Sequence, residues 1–302
     1  LLLFIGILYT FSALGSALAQ SWYGFLFYRF VGGLGVGASS VVAPMYIAEI
    51  APARLRGRLG TSFQLNIVAG ILISYFSNYL ISQAVTNNAW RWMLGVESIP
   101  ALIFIVLVIF IPESPRWLIL KMRIKEAASI LQNIHPLGFK QELQEIQESI
   151  QIKEGVPRER LFSRIFFKPI ILAVLVALFN QMSGINAVMY YAPRIFEMVG
   201  YAQDSALLQS VSVGSTLFIF TIVGMFLVDK VGRKKLLLIG AAGMVFFLAM
   251  VAKTVFTTTD GSVWMLIYLS GFIAFFAFSQ GTVIWVLSPR FSQIQSGQKD
   301  RH

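Results

Sequence analysis

The sequence predicts an all-α membrane protein with eight crossings, and three observations carry that prediction. The 302 residues are 57% hydrophobic and 13% charged, with a mean hydropathy of +0.73, a balance foreign to soluble domains. Apolar runs fall at about 1–19, 22–48, 59–83, 91–112, 166–198, 206–228, 236–256 and 262–288. Each is near or above the ~20 residues that a helical crossing requires. Basic residues, finally, keep to alternate connections. Those at 19–22, 84–90, 199–205 and 257–261 hold no Lys or Arg. The others hold Arg54, Arg56 and Arg58, then Lys230, Arg233, Lys234 and Lys235. The long segment 113–168 adds Arg116, Lys121, Arg123, Lys125, Lys140, Lys153, Arg158, Arg160, Arg164 and Lys168, so these connections carry most of the 24 basic residues. The positive-inside bias makes that side cytoplasmic, with both ends of the chain inside. The net charge of +10 is therefore a topology signal and not a nucleic-acid patch.

Composition also excludes chemistry. Without cysteine there is no disulfide framework and no Cys-ligated metal. His135 and His302 lie outside the apolar runs, so no metal or cofactor is expected. No nucleophile–base pair or phosphate loop stands out, which disfavours an enzyme. The chain opens at Leu1 without Met or a basic stretch, and it reads as an internal piece of a longer protein.

In the second run, Gly33 and Gly37 are spaced for close approach of a neighbouring helix. Arg29 is costly there and needs an acid. No carboxylate is an evident match: its partner lies beyond this chain, or it snorkels to the interface near Trp22 and Tyr23. The fourth run carries one acid, Glu97, in its outer half. Segment 113–165 is a cytoplasmic helical linker between two bundles of four helices, 1–112 and 166–288. Ser114 is placed to cap a helix that starts at Pro115. Leu143, Ile146 and Ile150 make a stripe that would lie on the inner ends of the bundle. The fifth run is the organising one, because Asn180, Gln181, Ser183, Asn186, Tyr190 and Tyr191 occupy its middle. Amides in hydrocarbon need a partner, a cavity or a ligand. The spacings 180–183 and 186–190 put polar groups on neighbouring turns, and Gly184 and Pro193 predict a bend or partial unwinding. A neutral, hydroxyl-rich solute at mid-membrane accounts for so many polar groups better than helix-to-helix hydrogen bonding does.

Six motifs then converge in order and spacing: Arg29 to Gly37, Pro44-Met45-Tyr46-Ile47-Ala48-Glu49, Arg54-Leu55-Arg56-Gly57, Pro112-Glu113-Ser114-Pro115-Arg116, Gln181-Met182-Ser183-Gly184-Ile185-Asn186 and Asp229-Lys230-Val231-Gly232-Arg233. Together they resemble the sugar porter family of the major facilitator superfamily, and look closest to its bacterial proton-linked symporters and animal glucose facilitators. The resemblance implies a major facilitator fold of twelve helices, of which this chain matches the third to the tenth. It implies a monosaccharide transporter of alternating access in a bacterial inner membrane, with proton symport ahead of uniport or of a non-transporting sugar sensor. The implied sugar ligands are Gln64, Asn180, Gln181, Asn186, Tyr190, Gly281 and Trp285, an indole face suiting the C–H surface of a sugar ring. Arg29 falls to proton coupling, with a first-helix aspartate outside this chain as its implied partner. Glu49, Arg56, Glu97, Arg116, Asp229 and Arg233 match a gating charge network. Leu217 stands where the family often has an asparagine, and Gln280 and Thr282 replace a usual Trp and Pro, departures that bear on sugar preference.

The polar tail 289–302 matches nothing in that family and is expected to be a frameshift product. Permitted codons for Pro289 to Arg301, read two bases later, encode Glu-Ile-Phe-Pro-Asn-Ser-Val-Arg-Ala-Lys-Gly-Gln, the continuation the family implies.

Overall fold

The computed structural model describes residues 1–51, 56–134, 136, 138–155, 164–257 and 263–283. The tail 289–302 therefore lies outside the described residues. The helices are α1 (Leu2–Leu18), α2 (Trp22–Ile50), α3 (Arg56–Ala84), α4 (Ala89–Gly95), α5 (Ser98–Phe110), α6 (Pro115–Leu120), α7 (Ile124–Ile134), α8 (Phe139–Gly155), α9 (Arg164–Met182), α10 (Ile185–Met198), α11 (Gln203–Val231), α12 (Arg233–Thr257) and α13 (Val263–Phe276). A π-helical turn, Ala277–Gly281, extends α13.

Six segments among the described residues are long and apolar enough to cross a membrane: Trp22–Ile47, Ser62–Ala84, Ala89–Phe110, Ser205–Val228, Arg233–Phe256 and Val263–Gly281. The other two expected runs depart from one long helix. The first is the shorter apolar helix Leu2–Leu18, and the fifth divides into α9 and α10. Local chemistry explains the boundaries. Ser21 accepts the Gly24 N–H through its side chain at the start of α2. Ser114 does the same for Trp117, with Pro115 as the first residue of α6, as expected of that pair. Pro100 offers no N–H to the carbonyl of Val96, and the span Ala89–Phe110 turns there from α4 into α5.

Contacts divide the chain into two compact units, Leu1–Gly60 with Val85–Glu159, and Thr61–Ala84 with Arg160–His302. The expected first bundle, 1–112, is thereby split. Residues 61–84 join the second unit because Val68, Leu65, Ile71 and Tyr75 pack into its core.

In the first unit, α1 lies against α2 through small residues. A Cβ on Gly32 would meet Ser12 Oγ at 2.3 Å, and one on Gly15 the Tyr28 ring at 2.2 Å. Gly33 and Gly37, expected at such a contact, have open space around them; the close face is one residue out of register and runs through Gly32 and Gly35. The stripe Leu143, Ile146 and Ile150 on α8 is also corrected. It packs on Leu118, Ile119 and Ala127 of α6 and α7, so the linker buries its own apolar face instead of spending it on the ends of the spans. Arg123 ties the same linker together by pairing with Glu113 at 3.0 Å and Glu126 at 2.6 Å. Hydrogen bonds from Arg123 and its charge hold the Glu126 carboxyl below the usual glutamate range.

The second unit has the larger core, in which Val213, Leu217, Met265, Leu269, Phe272 and Ile273 are buried between α10, α11 and α13. The π-helical turn is wider than an α-turn, and glycines make room for it. A Cβ on Gly224 of α11 would lie 2.6 Å from Phe278 Cα, and one on Gly240 of α12 would lie 1.9 Å from Ser279 Oγ.

Candidate functional site

The break between α9 and α10 builds the site. Gly184 takes φ 81, a conformation that glycine reaches without a Cβ penalty. Ser183 Oγ donates to Asn180 O at 2.6 Å, which satisfies one carbonyl at the end of α9, and Val188 N–H on Gly184 O starts α10. In an uninterrupted helix, residues five apart face about 140° away from each other. Here the unwound turn brings them together, and Asn186 Nδ2 donates to Gln181 Oε1 at 2.5 Å. The expected unwinding is present. The expected face-to-face spacings of a continuous helix give way to this pairing across the break.

A second irregularity fixes the neighbouring helix. Pro193 lies inside α10 and cannot donate to Met189 O, four residues earlier. Tyr75 of α3 supplies the missing donor through its hydroxyl, and this pins α3 against α10. Tyr75→Phe is expected to leave that carbonyl unpaired, at a cost of about 1–3 kcal/mol. A thermal melt in detergent should show the loss, and an unchanged midpoint would contradict this role for Tyr75.

Between α3, the broken segment, α11 and α13 lies a recess of about 120 Å³. Four carboxamides line it, from Gln64, Asn180, Gln181 and Asn186, together with Ile67, Val68, Ile71, Ile185, Met189, Leu217 and Phe276. All belong to the second unit. Among the described residues Asn180 Oδ1 is buried without a hydrogen-bond partner, and so is Gln280 Oε1 in the π-helical turn. Buried acceptors of this kind are uncommon and call for a donor. Among the described residues no charged side chain lines the recess, and what they offer is amide donors and acceptors beside apolar walls.

Four of the seven residues expected at the site thus share one recess. Tyr190 does not line it and is 78% exposed. Gly281 is buried in the π-helical turn and also stands apart from the lining. Trp285 lies outside the described residues. Phe276, Met189 and the α3 isoleucines were not anticipated: among 26 phenylalanines, nothing local marks Phe276. Leu217, noted only as a departure, is part of the wall.

The charges sort differently from expectation in one respect. Arg29 does have an acid, because its Nη1 donates to Glu97 Oε2 at 3.3 Å. Glu97 lies in the two-residue interval between α4 and α5, and in this structure it supplies the acid that the sequence left unassigned. Glu97 accordingly belongs with Arg29. Glu49 accepts a hydrogen bond from Ser114 Oγ at 2.5 Å. Arg116 and Arg233 form no ion pair among the described residues, and the side chains of Arg56 and Asp229 are not among those described.

Comparisons with known proteins agree with one another. The family described as "Sugar (and other) transporter" matches residues 1–295. The arabinose-proton symporter of Bacillus subtilis is 36% identical over 293 residues, covering 95% of this chain and 63% of that protein. The D-xylose-proton symporter of Escherichia coli K12 is 39% identical over 270 residues, covering 87% of this chain and 54% of that protein. The chain thus spans little more than half to three fifths of these relatives. A partially occluded, inward-open structure of the xylose transporter XylE from E. coli superposes with a TM-score of 0.84 at 34% identity, covering 98% of this chain and 71% of that one. The fold is that of the major facilitator superfamily, all-α and multi-pass, represented in part by this chain. With the broken helix, the carboxamide recess and the match over nearly its whole length, the chain belongs to the sugar (and other) transporter family.

Proposed function

We propose that this chain forms the central part of a secondary transporter that moves a monosaccharide by alternating access, in symport with protons. The observation that carries the proposal is the convergence of four uncharged carboxamides on one recess at a helix break. Carboxamides both donate and accept, and so read neighbouring hydroxyls, while Phe276, Leu217 and the α3 isoleucines suit the C–H faces of a sugar ring. Gln64, Asn180, Gln181 and Asn186 are the ligands proposed on geometry; Tyr190, Gly281 and Trp285 join them on the family motifs. Arg29, held by Glu97, is assigned to proton coupling. Glu49, Arg56, Arg116, Asp229 and Arg233 are assigned to a charge network present in one of the two access states, enough to bias a two-state equilibrium by a few kcal/mol. The membrane is proposed to be a bacterial inner membrane with both chain ends cytoplasmic, on the distribution of basic residues. Relatives named for proton-coupled transport of arabinose and xylose support symport and a pentose-sized solute.

The test is counterflow and proton movement in liposomes containing a full-length transporter that includes this chain. Saturable pentose or hexose counterflow with sugar-driven alkalinisation of the medium is the expected result. Counterflow without proton movement would replace symport by facilitated diffusion. Saturable binding without counterflow would make the protein a sugar sensor on the same scaffold.

A further inference from the structure

The segment joining α6 to α7 exposes an apolar cluster that the fold had the means to hide. Helix α6 closes with Arg123 N–H on Leu118 O at 2.9 Å and Met122 N–H on Ile119 O at 2.9 Å, the paired bonds of a Schellman motif. That motif normally places glycine where the backbone turns left-handed. Here the position is Met122, at φ 61 and 80% exposed. Leu120 is 57% exposed and Trp117, one turn earlier, 43%. Ile124 follows at the start of α7. Leu118 and Ile119, in between, are buried in the linker's own core, so the exposed set is a separate face and not a poorly packed interior.

Two further features say what covers it. Arg123 is shared between Glu113 and Glu126, whereas Lys121 and Lys125, on either side, form no ion pair among the described residues, and with Arg116 they leave segment 113–126 with a net charge of +2. The hairpin is also tethered where the spans end. Tyr46, in the last turns of α2, donates to Pro112 O at 2.6 Å. Glu49 accepts from Ser114 at 2.5 Å, and α5 ends at Phe110. A face of exposed Trp, Leu, Met and Ile, flanked by lysines and held a few residues from the end of a membrane span, matches an interfacial segment on an anionic bilayer.

We propose that the α6–α7 hairpin docks on the anionic phospholipid surface of the bilayer that α5 enters, with Trp117, Leu120, Met122 and Ile124 among the headgroups and Lys121 and Lys125 beside their phosphates. The absence of cysteine makes a clean test available. Leu120→Cys and Met122→Cys, each carrying a nitroxide, are reconstituted in vesicles of phosphatidylcholine with phosphatidylglycerol; Gln144→Cys on the exposed side of α8 is the aqueous reference. Labels at 120 and 122 are expected to collide preferentially with oxygen, and the label at 144 with an aqueous nickel chelate. Lys121→Glu and Lys125→Glu should each lower the docked-to-undocked ratio at least about fivefold, and Lys121→Arg with Lys125→Arg should preserve it. An unchanged nickel-chelate profile at 144 shows that the linker remains folded in these variants. Aqueous exposure at both 120 and 122 in the anionic vesicles would overturn the proposal. So would docking indifferent to the lysine-to-glutamate changes.

Discussion

Replacing Gln181 by alanine in a full-length transporter that includes this chain is expected to abolish measurable sugar binding while leaving the fold intact. Gln181 lines the recess and is the acceptor for Asn186. The substitution therefore removes one carboxamide and releases another from its orientation. Each hydrogen bond lost to the bound sugar is worth roughly 1–3 kcal/mol, so two lost together weaken binding by roughly thirtyfold to over ten-thousandfold. Gln181 is itself exposed toward the recess, and its truncation leaves the buried core of the unit untouched. Calorimetric titration with pentoses and hexoses, alongside a thermal melt, measures both halves of the claim. Wild-type affinity for every sugar that the unaltered protein binds would remove Gln181 from the site.

Glu97→Ala is expected to destabilise the first unit. It leaves the Arg29 guanidinium without its acid within the span Trp22–Ile47. Breaking a fully buried pair costs about 3–5 kcal/mol. Both side chains here are nearly half exposed, at 45% and 46%, so a loss nearer ~1–3 kcal/mol is expected after that discount. The double exchange Arg29→Glu with Glu97→Arg should recover part of it, because the pair and not either charge is what the span requires. A melting temperature unchanged by Glu97→Ala would show that the ion pair contributes nothing to the first unit.

Much of this architecture was legible in the sequence because membranes impose simple rules. Apolar length located six of the eight expected runs as helices long enough to cross a membrane, and Gly184 among amides marked the break. What sequence spacing could not supply was direction. Gly32 and Gly35, not Gly33 and Gly37, face α1, since a register one residue different turns a helix face by about 100°. Arg29 and Glu97 are 68 positions apart, and no local spacing in the sequence announces that the two helices bring them together. The α8 stripe was visible, but its partner could equally be the spans or the linker, and burial against Leu118 and Ile119 settles that choice. At the site, polarity singled out the amides because amides are rare in apolar runs. The apolar half of the recess was hidden for the opposite reason: Phe276 and Met189 look like every other membrane-helix residue until α3 and α10 are brought together.

The central claim, that the carboxamide recess is where sugar sits, is tested most directly by cysteine protection. Ile67→Cys on α3 and Leu217→Cys on α11 place single thiols on two walls of the recess in a chain that has no others. Gln144→Cys, exposed on α8 and outside the lining, is the reference. In a full-length transporter that includes this chain, a bound pentose or hexose is expected to slow alkylation at 67 and 217 together and to leave 144 unaffected. Equal alkylation rates at 67 and 217 with and without sugar, under conditions where the same protein binds that sugar, would place the site elsewhere.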